Sequence, residues 1–154
     1  MALFLYAAGS HSSEKGPPTI HMFELHSEEI PGSVEISGET INVRGFIKAQ
    51  PDLEIHTLER VTRSTQKTYS GFPPSEDSAT DTPALTIQLT PKDAKSFGEL
   101  TARIRRKRIV IKIGGVIQSA PRVMEAILNG EFVISCPNKE DQAVLAAKLE
   151  DLVK

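Results

Sequence analysis

Apolar residues recur along this chain with two different periods, and each change of period marks a new element. Leu85, Ile87 and Leu89 alternate with Thr86, Gln88 and Thr90, which predicts a half-buried strand because successive strand side chains point to opposite faces. From Ala94 the spacing lengthens, and Ala94, Phe97, Thr101 and Ile104 recur every three or four residues, as on one face of a helix. Thr90 is a hydrogen-bonding N-cap for that helix, Pro91 suits its first position and Asp93 complements its dipole. Ile109, Val110, Ile111 and Ile113 predict a strongly apolar strand, and Gly114-Gly115 supplies the positive φ of a tight hairpin turn before Val116-Ile117 returns. Ser119-Ala120-Pro121 ends that strand, because proline has no N–H to give a ladder. Arg122 to Leu128 fits a short helix or an extended connection; Asn129-Gly130 is a turn and Phe132 to Ile134 another strand. Asn138 caps a final helix with Glu140 and Asp141 in its first turn. Its apolar stripe is Leu145, Leu149 and Leu152, with Ala146 and Val153 beside it.

The first half is less regular. Ile20 to Leu25 mixes apolar and polar residues as a partly buried strand does, and Pro31-Gly32 is a turn signal. Val34 to Ile36 and Thr40 to Val43 alternate around Gly38, which predicts a hairpin. Leu53 to Thr62 fits helix and strand alike. Residues 70–83 carry Pro73, Pro74 and Pro83 around an acidic middle and read as a mobile loop. Residues 1–18 read as a flexible leader or tail, or the remnant of a secretory signal: apolar Ala2 to Ala8 is followed by small and polar residues, without a basic n-region. Residues 19–154 then form a single α+β domain, a mostly antiparallel sheet with two main helices packed on one face.

A length of 154 residues with 39% hydrophobic side chains supports one domain with one core. Aromatics are only 5%, with no Trp, which argues against a stacking platform for single-stranded nucleic acid. The longest apolar run, Ala2 to Ala8, falls far short of the roughly 20 residues of a membrane-spanning helix. One cysteine makes no internal disulfide and no Cys-based zinc site. The net charge of −2 hides an asymmetry: residues 1–90 carry 6 basic and 12 acidic side chains, residues 91–154 carry 12 and 8. Much of the basic excess is one cluster, Arg103, Arg105, Arg106, Lys107 and Arg108. It reads either as a solvated helix end complementing the dipole or as a patch for phosphate or nucleic acid; the acidic overall balance favours the first, so no nucleic-acid partner is expected.

No catalytic pattern emerges. His11, His21, His26 and His56 do not converge by spacing, and nothing implies a metal or another cofactor. Cys136 precedes the final helix, where a helix N-terminus can lower a thiol pKa, but no histidine follows position 56. The carboxylate pairs Glu28-Glu29, Glu76-Asp77 and Glu140-Asp141 lie in turns, in the loop or at the helix start. Gly114-Gly115 lacks the spacing of a phosphate loop.

One long stretch resembles a known family. Pro83-Ala-Leu-Thr-Ile-Gln-Leu-Thr-Pro-Lys-Asp-Ala-Lys-Ser-Phe-Gly-Glu-Leu-Thr101 is similar to a strand–helix passage of SecD, the membrane translocase accessory whose extracytoplasmic region carries a head subdomain. Arg108-Ile-Val-Ile-Lys-Ile-Gly-Gly-Val-Ile-Gln-Ser-Ala-Pro121 resembles the hairpin that follows, Ile127 to Ser135 the next turn and strand, and Asp141 to Leu149 the closing helix. The resemblance covers about residues 83–150; residues 20–69 do not match motif by motif. Where the family usually has Asp-Gly in the hairpin turn, this chain has Gly114-Gly115, which meets the same backbone need. The proton-coupled work of SecD and SecF belongs to transmembrane helices and is not carried over.

What the resemblance implies is a SecD head-like fold and a non-enzymatic, extracytoplasmic binding module, periplasmic or secreted, with or without a membrane anchor. Its partner would be an exported polypeptide or an envelope or translocation protein, met by strand addition at a sheet edge or by apolar contact near the hairpin. The expected binding residues are Gly114, Gly115, Ser119, Ala120 and Pro121; alternatively they only shape the hairpin. The rival readings are a reused scaffold without a translocation role, phosphate or nucleic-acid binding through Arg103 to Arg108, and a small hydrolase using Cys136 or a histidine. Oligomeric state is not legible.

Overall fold

The computed structural model describes residues 18–38, 41–69, 71, 73 and 75–154. The leader or signal-remnant reading, Pro18 apart, and His11 thus lie outside the described residues. The elements in chain order are β1 (Ile20–Glu24), β2 (Ser33–Gly38), β3 (Val43–Lys48), β4 (Leu53–Ile55), β5 (Leu58–Tyr69), a 3-10 turn (Glu76–Ser78), β6 (Ala79–Leu89), α1 (Pro91–Arg103), β7 (Ile109–Ile113), β8 (Val116–Ser119), β9 (Glu131–Ser135) and α2 (Lys139–Glu150). Every strand ladder is antiparallel, and with two helices this is the expected α+β architecture. The strands divide into a four-stranded sheet, β4-β1-β7-β8, a three-stranded sheet, β5-β6-β9, and the β2-β3 hairpin.

The predicted helix starts are present. Thr90 Oγ1 accepts the Asp93 N–H at 3.4 Å with Pro91 in the first turn, and Asn138 Oδ1 accepts the Asp141 N–H at 2.8 Å. Phe97, Leu100, Thr101 and Ile104 from α1, and Leu145, Ala146 and Leu149 from α2, are buried. They meet Leu85, Ile87 and Leu89 of β6, Ile20 and Met22 of β1 and Ile111 of β7 in one core. A second core holds Phe23, Val43, Ile47, Val110 and Ala120. Ile109, Ile111 and Ile113 therefore face one core and Val110 the other, which is why β7 is apolar almost without interruption.

Three expectations change. Leu53 to Thr62, compatible with helix or strand, is strand throughout most of its length, as β4 and the start of β5. Arg122 to Leu128 is extended rather than helical, held by an isolated bridge between Arg108 and Arg122. The segment read as a loop over residues 70–83 is shorter, because Ala79 to Pro83 belong to β6 and pair with Thr65 to Tyr69. Pro83 fits in a strand because the N–H and C=O of a residue project to the same side. Its carbonyl accepts the Cys136 N–H at 2.8 Å just past the end of β9, where a missing donor breaks no ladder bond. Threonines replace apolar residues in this outer hairpin, and Thr68 Oγ1 donates to the Thr80 carbonyl at 3.2 Å.

Gly130 is where a side chain is least tolerable. Its φ is +70°, and a Cβ there would stand 2.5 Å from the Ala94 Cβ. Gly130→Ala is expected to destabilise the protein by about 2–3 kcal/mol, lowering Tm by roughly 5–10 °C. An unchanged melting temperature would contradict this packing of the β9 entry against α1.

Candidate functional site

The basic cluster is split by the fold. Arg103, in the last turn of α1, donates from Nη1 to Glu24 Oε1 at 2.9 Å and from Nη2 to Asp52 Oδ1 at 3.3 Å. Lys107 Nζ reaches Glu24 Oε2 at 2.9 Å, and Lys48 Nζ reaches Asp52 Oδ1 at 3.2 Å. Asp52 Oδ2 accepts the Glu24 N–H at 2.9 Å, closing a network that ties β1, the β3–β4 turn and the end of α1 together. The two carboxylates are nearly inaccessible, at 6% and 4% of their side chains. Burial by itself raises the pKa of Glu24, but the Lys107 hydrogen bond and the charges of His26, Lys107 and Arg103 outweigh it, and the net direction is down. For Asp52 burial likewise pushes up, and the Glu24 N–H, Lys48 and Arg103 together pull it below the ordinary value. Nothing in the local pattern around Glu24 or Asp52 marks them as partners of a cluster 51 to 83 positions away.

The expected hairpin residues do not converge on one point. Gly114 and Gly115 occupy the turn with φ of 60° and 84°, and the Gly114 N–H reaches the Thr19 carbonyl at 3.1 Å. Ser119, Ala120 and Pro121 lie at the opposite end of β8. Ala120 is buried in the second core and its carbonyl accepts Arg108 Nε at 2.8 Å, while the Pro121 carbonyl accepts the Ile109 N–H at 2.9 Å. Pro121 itself is exposed and borders a groove.

That groove has a volume of about 750 Å³, and sequence reasoning missed it. Its outer wall is residues 121–130, which have no regular structure. Val123 exchanges backbone bonds with Arg106 and Lys107, at 2.6 and 2.8 Å. The buried Thr101 hydroxyl donates to the Phe97 carbonyl at 2.8 Å and accepts the Ile127 N–H at 2.9 Å; Gln88 Nε2 donates to the Asn129 carbonyl at 2.9 Å. With Val123 and Ile127 turned toward the core, Met124 and Leu128 are left 62% and 79% exposed, beside Val133 of β9 at 42%. A second cleft of about 580 Å³ lies between β8 and α2, lined by Val116, Ile117, Cys136 and Val144 among others. β8 and β9 each end their sheet, so among the described residues each has one unpaired edge; the two strands come within 8 Å, Cα to Cα, without pairing.

Most other chemical candidates have local partners, although the buried Nε2 of His26 has no hydrogen-bond partner among the described residues. His21 and His56 both lie beside Glu54, at 3.5 and 3.2 Å, and His26 Nδ1 is 3.8 Å from Glu24. Among the described residues no three His, Cys, Asp or Glu side chains gather as a metal site would require. Burial, then the Asp141 charge, pushes the Cys136 thiol up, which keeps it neutral and opposes a nucleophilic role. Glu76 and Asp77 form the 3-10 turn, and Glu140 and Asp141 the first turn of α2. No helix among the described residues is long and apolar enough to cross a membrane.

The model of the family described as SecDF, P1 head subdomain, matches residues 47–151. A protein translocase subunit SecD from Thermobaculum terrenum is 30% identical over 76 residues, covering 49% of this chain and 15% of the relative. One from Acidaminococcus fermentans is 35% identical over 83 residues, covering 54% and 20%. This chain therefore corresponds to a small part of the curated relatives it matches. Two solved structures share the fold at 17% identity. The first, reported as the structure and function of a membrane component SecDF that enhances protein export, aligns with a TM-score of 0.57 over 88% of this chain and 63% of its own. The second, SecDF in a super-membrane-facing form, aligns with a TM-score of 0.58 over 88% and 19%.

The ion network makes stability depend on acid. Carboxylates whose pKa is depressed on folding contribute stability that is present above their unfolded values and lost as pH falls through the folded ones. Thermal stability is expected to fall as pH drops below about 4, the ordinary carboxylate range. Arg103→Ala, which leaves two buried carboxylates with one partner fewer, is expected to cost about 1–3 kcal/mol at pH 7 and less at pH 3. A loss that is equal at both pH values in thermal melts would show that the pairing contributes nothing.

Proposed function

Because this chain belongs to the SecDF P1 head subdomain family, whose model matches residues 47–151, we propose that it is a non-enzymatic extracytoplasmic module that contacts polypeptides during protein translocation. The observation that carries this reading is an exposed apolar surface, Met124, Leu128 and Val133, set beside the unpaired edge of β9. An extended segment added to that edge gains main-chain hydrogen bonds whatever its sequence, and its alternate side chains reach the groove. Such sequence-tolerant contact suits a domain that meets many unfolded chains.

The magnitudes favour a brief contact. Covering three exposed apolar side chains gains about 3–5 kcal/mol before the ordering of the guest is subtracted, so the apolar contact by itself supports affinities of about millimolar or weaker. A guest strand between β8 and β9 would need about 9.6 Å, two ladder spacings. The strands approach more closely than that where they meet, so a guest would pair along the part of an edge that the other strand does not approach. β9 is favoured because Val133 and the groove lie beside it. Pro121 borders the groove, and Gly114, Gly115, Ser119 and Ala120 frame β8 and set its position as the second edge.

The test is titration of the isotope-labelled protein with an unfolded exported polypeptide, read by NMR. Shifts are expected to centre on residues 121–135. Leu128→Asp with Val133→Asp is expected to weaken binding by about tenfold or more while Tm stays within roughly 2 °C, since both side chains are exposed. Gly115→Asn reports on the hairpin alone, because Asn tolerates the positive φ there and a β-branched residue does not. Shifts scattered away from the groove, or full affinity in the double variant, would reject the assignment and leave a scaffold reused without this role.

A further inference from the structure

Two of the three cluster residues that meet no carboxylate, Arg106 and Arg108, help line a site of their own, while the third, Arg105, lines the larger groove. Arg44 of β3, Arg106 and Arg108 of the α1–β7 turn, and Arg122 of the groove wall line a single cleft of about 460 Å³ together with Lys107. Lys107 is paired with Glu24, but among the described residues none of the four arginines makes an ion pair. Glu28 is the one acid in the lining, so four guanidiniums against one carboxylate leave three positive charges in excess. Two of the four guanidiniums, those of Arg108 and Arg122, are held in place by neutral acceptors. Arg108 Nε donates to the Ala120 carbonyl at 2.8 Å and its Nη1 to the Asn42 carbonyl at 3.1 Å, while Arg122 Nη1 donates to the Arg106 carbonyl at 2.7 Å.

A carbonyl orients a guanidinium without cancelling its charge, and each guanidinium has five donors, most of them unused here. Arg106 is also the one described non-glycine residue with a positive φ, 70°, fixed by its N–H to the Val123 carbonyl. We propose that this cleft is a binding site for a phosphate-class oxyanion. Several forked donors around a compact volume match a multiply charged tetrahedral anion better than a single carboxylate. The cleft lies within the usual size range of small-ligand sites, about 300–1,000 Å³. Free phosphate and the phosphodiester of an anionic lipid headgroup share this chemistry.

The experiment compares the protein with Arg44→Gln and Arg106→Gly, neither of which removes a recorded side-chain hydrogen bond. Isothermal titration with inorganic phosphate, against chloride at equal ionic strength, is expected to show binding that each variant weakens about tenfold or more, the worth of one charge-assisted hydrogen bond. Without phosphate the variants are expected to melt at the same temperature or higher, since one relieves like-charge repulsion and the other puts glycine in a left-handed conformation. Co-sedimentation with phosphatidylglycerol–phosphatidylcholine vesicles, and not with phosphatidylcholine alone, assigns the source to a lipid headgroup; phosphate binding without vesicle binding assigns it to the free anion. No phosphate-specific heat together with no vesicle binding, equal affinity in the variants, or a response to polyglutamate alone would overturn the proposal.

Discussion

The two larger sheets share no backbone ladder among the described residues, so side-chain packing has to join them. Phe97 of α1 rests on Phe132 of β9 with ring centroids 5.6 Å apart, and Ile104, Ile111 and Leu85 extend the same core. Apolar packing is strong in sum but weakly directional, so orientation comes from a few buried hydrogen bonds. Gln142 of α2 supplies two, donating to the Ala84 carbonyl at 2.7 Å and the Ser64 carbonyl at 3.1 Å, and so seats α2 across β5 and β6. Joining the sheets through their faces has a consequence: neither covers the other's margin, and β8 and β9 keep open edges.

The basic residues divide according to what lies behind them. Arg103 stands over Glu24 and Asp52 and Lys107 over Glu24, and these cations lower the pKa of the two carboxylates against the upward push of burial. Arg106, Arg108 and Arg122 turn toward a margin walled by carbonyls and keep their charge. Four residues of one basic run in the sequence, Arg103 and Lys107 on one side and Arg106 and Arg108 on the other, therefore serve two purposes, one internal and one facing outward.

Much of the second half was legible because its contacts are local. The cap at Thr90, the 3.6-residue stripe from Ala94 to Ile104, the Gly114-Gly115 turn and the cap at Asn138 each lie within one element, and each is present as the pattern predicts. Pro83 was misleading, because its usual meaning as a strand breaker holds only where a ladder bond is lost. Leu53 to Thr62 was ambiguous because β4 has three residues, too few to display a period. The site was the least legible part. Arg44 and Arg122 meet across 78 positions of sequence, and Glu24 meets Arg103 across 79; such pairings are made by topology and leave no periodic trace.

The groove wall shows why exposed apolar residues are tolerable there. An irregular segment ordinarily holds its shape by burying its own hydrophobic side chains. Residues 121–130 are instead fixed largely by bonds to their backbone, from the Thr101 hydroxyl, the Gln88 amide, the Arg106 N–H and the Lys107 carbonyl. Val123 and Ile127 suffice to seat the segment on the core. Met124 and Leu128 are left largely exposed beside a strand edge, with Leu128 lying close to Gly98 of α1. The apolar side chains of the proposed contact surface and the backbone bonds that fix the wall thus involve different atoms.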